Sequence, residues 1–226
     1  MRRHTPPVRD WDWVTIAGLA TAVGTLVLAL ATFGATRSAN RAARTAELAL
    51  LEGLRPVLVS SRLQDPSEKV LFGDGRWVRV DGGRAAAEVT EQAIYFLVAV
   101  RNVGQGLAVL HGWNMMVGAF GPIGTPQTHG DPATFRMQTR DLYVPAGDVG
   151  YWQGALRDPA DPLFADVART IRERAPITVE ILYGDHEGGQ RTISRFTLMP
   201  YQGESGDGSW LSSVSRHWNL DRPDPR

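Results

Sequence analysis

The chain has no cysteine, one lysine (Lys69) and no net charge: 24 Lys+Arg balance 24 Asp+Glu in 226 residues. Without cysteine there is no disulfide, no thiolate zinc or iron–sulfur site and no thiol nucleophile. A zero balance excludes a bulk polyanion binder, nucleic acid included, because such binding rests on neutralising phosphates. With lysine nearly missing, 23 arginines (24 minus one) carry the positive charge. The arginine fork suits carboxylates and phosphates. No recognition motif organises these residues, and the same bias, with heavy Ala, Gly and Pro use, is what a GC-rich coding sequence produces.

Catalytic and metal motifs are missing as well. The five histidines, His4, His111, His129, His186 and His217, form no His-Glu-x-x-His or His-x-His arrangement. No Gly-x-Ser-x-Gly elbow is present. The serines 205, 209, 212, 213 and 215 lie near His217, but a triad is defined in space and not by sequence proximity. His186, between Asp185 and Glu187, reads as a polar hairpin tip. No catalytic residue, metal ligand or cofactor is assigned.

What is present begins with one long apolar run. Residues 14–35 read VTIAGLATAVGTLVLALATFGA, and no charge occurs between Asp12 and Arg37. About 20 apolar residues in a helix cross a hydrocarbon core of roughly 30 Å. Trp11 and Trp13 precede the run, where indoles favour the interface, and Arg37, Arg41 and Arg44 follow it. The expectation is an N-terminal tail over 1–13 and a transmembrane helix over 14–36. Two readings compete: a signal peptide with Arg2, Arg3 and a small-x-small site at Ala29-Leu30-Ala31, although the run exceeds the usual apolar region of about 7–15 residues, and a buried soluble helix, in which an uninterrupted apolar run of this length is rare. Small residues four apart, Gly18 with Ala22 and Ala20 with Gly24, give a possible homo-oligomer contact. Basic residues near the two ends are almost balanced, Arg2, Arg3 and Arg9 against Arg37, Arg41, Arg44 and the more distant Arg55. The lean is to a cytoplasmic C-terminal domain.

Residues 37–54 read as a helical stalk that ends at Gly53 and Pro56. Ala39, Ala42 or Ala43, Ala46, Leu50 and Leu54 make a stripe that either docks on the neighbouring domain or gives a second possible homo-oligomer contact, and Arg44 with Glu47 is a candidate pair. From residue 55 the pattern changes to short strands with turn punctuation. Val57, Val59 and Leu63 are expected on one face; Ile94, Phe96, Val98 and Val100 on one face of a central strand. The next strand places Leu107, Val109, His111, Trp113, Met115 and Val117 on one parity, with His111 and Trp113 as a possible interface. Ile177, Val179, Ile181 and Tyr183 alternate cleanly, followed by the hairpin loop DHEGG. Asp161 and Pro162 start one helix, whose stripe is Phe164, Val167, Ala168, Ile171 and Ala175. Such punctuation predicts a β-sandwich over 55–202 with one short covering helix, and a mostly loose C-terminal tail over 203–226. The loop 119–133, rich in Gly and Pro, is either a partner-binding loop or an insertion.

The run FLVAVRNVGQGLAVLHGW resembles the strand–turn–strand core of bacterial immunoglobulin-like domains, the CARDB adhesion-type modules among them. The later VPAGDVGYWQGAL is similar to the turn that follows in such proteins, and the resemblance extends from the span to about Met199. It implies the layout of bacterial single-pass membrane proteins with an Arg-Pro-terminated helical stalk and an immunoglobulin-like β-sandwich. No defined activity comes with it. The residues themselves give Asn102, Gly104 and Gly106 a structural role in the turn between two strands, with positive φ available to the glycines. A phosphate-binding Gly-x-Gly needs a helix after the strand, and here a strand follows.

The expected function is a membrane-anchored, non-enzymatic interaction module whose protein partner the sequence does not name. The alternative is an outward-facing envelope or carbohydrate-binding domain carrying sugar on Trp77, Trp113 and Trp152.

Overall fold

A computed structural model describes residues 12–117, 128–201 and 209–223. The chain divides into two units, Met1–Glu52 and Gly53–Arg226. Among the described residues the first is a single helix. α1 runs without a break from Asp12 to Gly53, so apolar run and stalk form one rod of about 63 Å at 1.5 Å per residue. Its Ala- and Leu-rich composition favours propagation, and no proline interrupts it. Every side chain from 13 to 54 is exposed.

The second unit is mainly β. Its strands are β1 (Leu58–Ser60), β2 (Glu68–Leu71), β3 (Trp77–Val80), β4 (Arg84–Val89), β5 (Ile94–Asn102), β6 (Ala108–Met116), β7 (Arg136–Val144), β8 (Val149–Leu156), β9 (Ile177–Gly184), β10 (Arg191–Pro200) and β11 (Trp210–Asn219). The short helix α2 (Phe164–Arg172) lies between β8 and β9. Nine strands form one antiparallel sheet in the order β1-β5-β4-β11-β10-β9-β6-β7, with β8 on the other side of β5; β2 and β3 pair separately. The sheet curls until its halves face one another. A single core then takes Phe96 and Val98 of β5 and Trp152 of β8 from one half, and Trp113, Ile181 and Phe196 from the other. Among the described residues the halves join through β4 and β11 at two residue pairs, Trp210 with Ala85 and Leu211 with Arg84. A seam this short allows the sheet to fold over on itself.

β5 is buried on both faces. Ile94, Phe96, Val98 and Val100 enter the main core, as their parity predicts. Tyr95, Leu97 and Ala99 pack under Val70, Phe72, Val78 and Val80 of the β2–β3 hairpin. A strand covered on both sides has no polar parity, which accounts for its nearly continuous apolar sequence. On β9, Ile177, Val179, Ile181 and Tyr183 all reach the core as expected. The stripe of α2 is likewise buried at Phe164, Val167, Ala168 and Ile171.

Four expectations need correction. The C-terminal segment is not a loose tail: β11 pairs with β10 from Trp210↔Pro200 to Asn219↔Thr192, so the sheet domain extends past residue 202. Its polar composition hid a strand anchored by two buried tryptophans, Trp210 in the main core and Trp218 against the outer face of the sheet. In β1 the core residue is Leu58, and Leu63 is exposed, because β1 ends at Ser60 and Leu63 follows it in a turn. In β6 the parity breaks at His111: between Leu110 and Gly112 the partner β9 advances only from Tyr183 to Leu182. That bulge places Ala108, Leu110, Trp113 and Met115 together in the core and turns His111 away from it. Finally, α2 begins at Phe164 and not at Pro162; Asp161 caps the turn before it, its Oδ1 accepting from Leu163 N at 2.9 Å.

Candidate functional site

Three places carry chemistry or contact. On α1, the hydroxyls of Thr21, Thr25, Thr32 and Thr36 each donate to the carbonyl four residues earlier, at 2.7–2.9 Å. The polar side chains of the run are thus satisfied within the helix, which a hydrocarbon surrounding requires. The helix is long and apolar enough to cross a membrane, and none of its apolar stretch is buried. The expected Arg44–Glu47 pair is absent from the ion pairs among the described residues; an exposed pair on a helix gains only a few tenths of a kcal/mol, less than its ordering entropy can exceed. The expected interfacial Trp11 and the basic residues Arg2, Arg3 and Arg9 lie outside the described residues, as does His4.

The second place is the turn after β5. Asn102 is fully buried. Its Oδ1 accepts from Gly104 N at 3.0 Å and Val57 N at 3.1 Å. Its Nδ2 donates to the carbonyls of Gly106 at 2.7 Å and Val144 at 3.0 Å. One amide therefore ties the turn to the chain entering β1 and to the end of β7. The glycines do not supply positive φ. Close approach explains them instead: a Cβ on Gly104 would sit 2.2 Å from Arg55 O, and one on Gly106 1.8 Å from Leu54 O. The structural role stands, with a different physical reason.

The proposed interface residues separate. Trp113 is buried edge-on against Trp152, with ring centroids 5.6 Å apart, so it offers no surface to a partner. The bulge at His111 leaves that ring half-buried on the other side of the strand. Burial, then the neighbouring Arg191, lowers its pKa, while Asp141 and Asp185 act in the opposite sense. Of the three tryptophans considered for a sugar platform, Trp77 alone is exposed, and Lys69 Nζ lies 5.2 Å from its ring.

The third place is a cleft of about 200 Å³ beside Trp113 and Phe72, where β7 and β8 run as neighbouring free edges. From Leu110 to Gly112 β6 advances two residues, while β7 advances five, from Leu142 to Met137. The excess bows Gln138–Asp141 outward. Gln138 Nε2 donates to Gln153 O at 3.1 Å, across to β8. Arg140 Nη2 donates to Gln153 Oε1 at 3.1 Å. Side chains thus cap an edge that no strand among the described residues covers. Arg136 and Arg157 flank the cleft and are neutralised by Asp161 and Asp74. Its walls can hydrogen-bond a polar or anionic group.

Two buried polar groups were missed by the sequence reading. Glu180 and Arg195 are both inside the protein; Arg195 Nη2 lies 2.6 Å from Glu180 Oε1, and Glu180 Oε2 also accepts from Gly130 N at 2.9 Å. They sit on the outer face of β9 and β10, where alternation reads as solvated. The segment around Phe135 covers that face with Leu182, Ile193 and Trp218. The second group is a chain of hydroxyls: Leu58 N donates to Tyr183 Oη at 3.0 Å, which lies 2.8 Å from Ser194 Oγ, itself 2.6 Å from His217 Nδ1. Burial pushes the Tyr183 phenol up to about 12. A serine beside His217 is thus Ser194 on β10, distant in sequence from the cluster noted above; Ser205 and residues 119–127 of the long loop lie outside the described residues. Among the described residues no group of three or more His, Asp or Glu is placed to hold a metal ion.

No protein-family model matches the chain, and no curated protein matches it.

Proposed function

We propose that the chain is a single-pass membrane protein: residues 14–36 span the bilayer and an immunoglobulin-like domain serves as a non-enzymatic module for a protein partner. The observation that carries it is α1, which is long and apolar enough to cross a membrane and whose apolar stretch has no buried residue. About 33 Å of helix over 14–35 matches the hydrocarbon thickness. The alternative for so much apolar surface is water, at a cost of about 1.5–3 kcal/mol for each large side chain.

Strand pairing supports the immunoglobulin-like reading. β5 pairs with β1 and β8, and β6 pairs with β7 and β9, which pairs in turn with β10. These neighbours correspond to strands A, B and E of one immunoglobulin sheet and C′, C, F and G of the other. Trp113 then falls on strand C, where such domains bury a tryptophan. The hairpin β2–β3, β4 and β11 are additions to that frame. An interaction module fits better than a hydrolase, since Ser194 is closed to substrate. A sugar platform is reduced to Trp77.

Washing membranes with alkaline carbonate tests the anchor. The full chain is expected to stay with the lipid, and its release would remove the anchor from the proposal. Sidedness follows from Ser213→Cys, an exposed position in a chain with no native thiol. A membrane-impermeant maleimide should label it only after lysis if the domain is cytoplasmic.

A further inference from the structure

We propose that Arg37, Arg41 and Arg44 form a binding face for the phosphate groups of anionic phospholipids, in the leaflet at the C-terminal end of the span. This rests on the reading of α1 as a membrane helix. Spacings of four and three residues put the three guanidiniums within an arc of roughly 60° at 100° per residue. Phe33 and Asn40 fall beside them, and together with Thr36 these side chains line one shallow recess. The rest of the helix at this level is Ser38, Ala39, Ala42, Ala43 and Thr45, all uncharged. The positive field is therefore one-sided.

Depth and chemistry agree on the occupant. The apolar run ends at residue 35, so Arg37 lies just past the hydrocarbon edge. The ridge from Arg37 to Arg44 rises about 10 Å. A headgroup layer is on the order of 5–8 Å deep on each side, so Arg37 lies within it and the long side chains of Arg41 and Arg44 reach back toward it. Phe33, one turn earlier, sits at the level of the acyl chains. None of the three arginines takes part in an ion pair among the described residues, and no acidic residue occurs between Asp12 and Glu47. Planar guanidiniums chelate phosphate oxygens through paired N–H groups. In a cell, the negatively charged cytoplasmic leaflet is the one that would hold such an end.

The test uses the full chain in phosphatidylcholine vesicles with a trace of spin-labelled phosphatidylglycerol or spin-labelled phosphatidylcholine. The immobilised fraction of each label reports its preference for the protein. The expected result is roughly fivefold enrichment of the anionic lipid, the weight of one basic residue at an anionic surface. R37Q/R41Q/R44Q should abolish it. R41A/A42R/A43R/R44A keeps three arginines but spreads them around the helix, and should lose most of it. Equal preference for both lipids in the native chain, or full preference in the rearranged one, overturns the proposal. So does displacement of the labelled lipid by inorganic phosphate at matched ionic strength, which would assign the face to free phosphate. Flotation with pure phosphatidylcholine vesicles checks the anchor separately: a chain that floats without anionic preference keeps its span and loses only this face.

Discussion

Two apolar runs in this chain meet opposite fates. In α1, Leu19, Leu30 and Phe33 are each about two-thirds exposed. In β5, Phe96, Leu97 and Val98 are fully buried. The residue types are alike and the driving force is the same removal of apolar surface from water. The difference is the backbone. A helix closes its hydrogen bonds within itself and can take its apolar surface into lipid alone. A strand leaves N–H and C=O groups for neighbours, so β5 reaches a dry environment only by recruiting β1, β4 and β8 beside it and other layers on both faces.

The largest expected effect separates the two runs directly. Leu97→Asp puts a carboxylate between β5 and the β2–β3 hairpin and should cost about 4 kcal/mol or more, unfolding the domain without touching the proposed membrane anchor. Leu30→Asp should leave the domain's melting temperature unchanged and weaken insertion by about 3 kcal/mol. Equal effects of both substitutions on melting would erase the distinction.

A second substitution sharpens the contrast by asking what a polar core does. Glu180→Gln leaves Arg195 buried opposite a neutral amide and should destabilise the domain by roughly 3–5 kcal/mol in denaturant titration. Next comes the turn that fixes β5 against β1. Asn102→Ala strands two donors and two acceptors and should cost about 3 kcal/mol, read by thermal melting.

The smallest effect concerns a partly exposed pair. Arg55 donates to Asp221 at 2.6 Å, and that hydrogen bond above all holds the Asp221 carboxyl below its ordinary value. A lowered folded-state pKa contributes stability above the unfolded value, about 3.9, and loses it as pH falls through the folded value. Asp221→Asn should therefore cost about 1–2 kcal/mol at neutral pH. The difference from the native chain should vanish in acid.

Legibility followed whether a pattern depends on one element or on several. The apolar run, the parity of β5 and β9 and the stripe of α2 repeat at the period of their own backbone. The role of Asn102 was legible because Asn and Gly at a strand end serve local backbone. The reason for Gly104 and Gly106 was not, because Leu54 and Arg55 approach them from another segment. The His111 bulge shifted a whole parity by one residue, and its mark in the sequence was a single glycine inside the strand, Gly112. Glu180 sits where alternation says water, until a distant loop covers it.

The sequence by itself determined the membrane-competent helix, the mainly β character of the domain and the inward faces of its cleanest strands. Each follows from local propensity and hydrophobic period, which a chain carries wherever it folds. Tertiary structure alone decided that β11 joins the sheet, that Trp113 is core and not interface, and that Glu180 and Arg195 are buried. Those outcomes depend on which segments come together across the sheet, and burial belongs to the assembled layers and not to any residue's own neighbours.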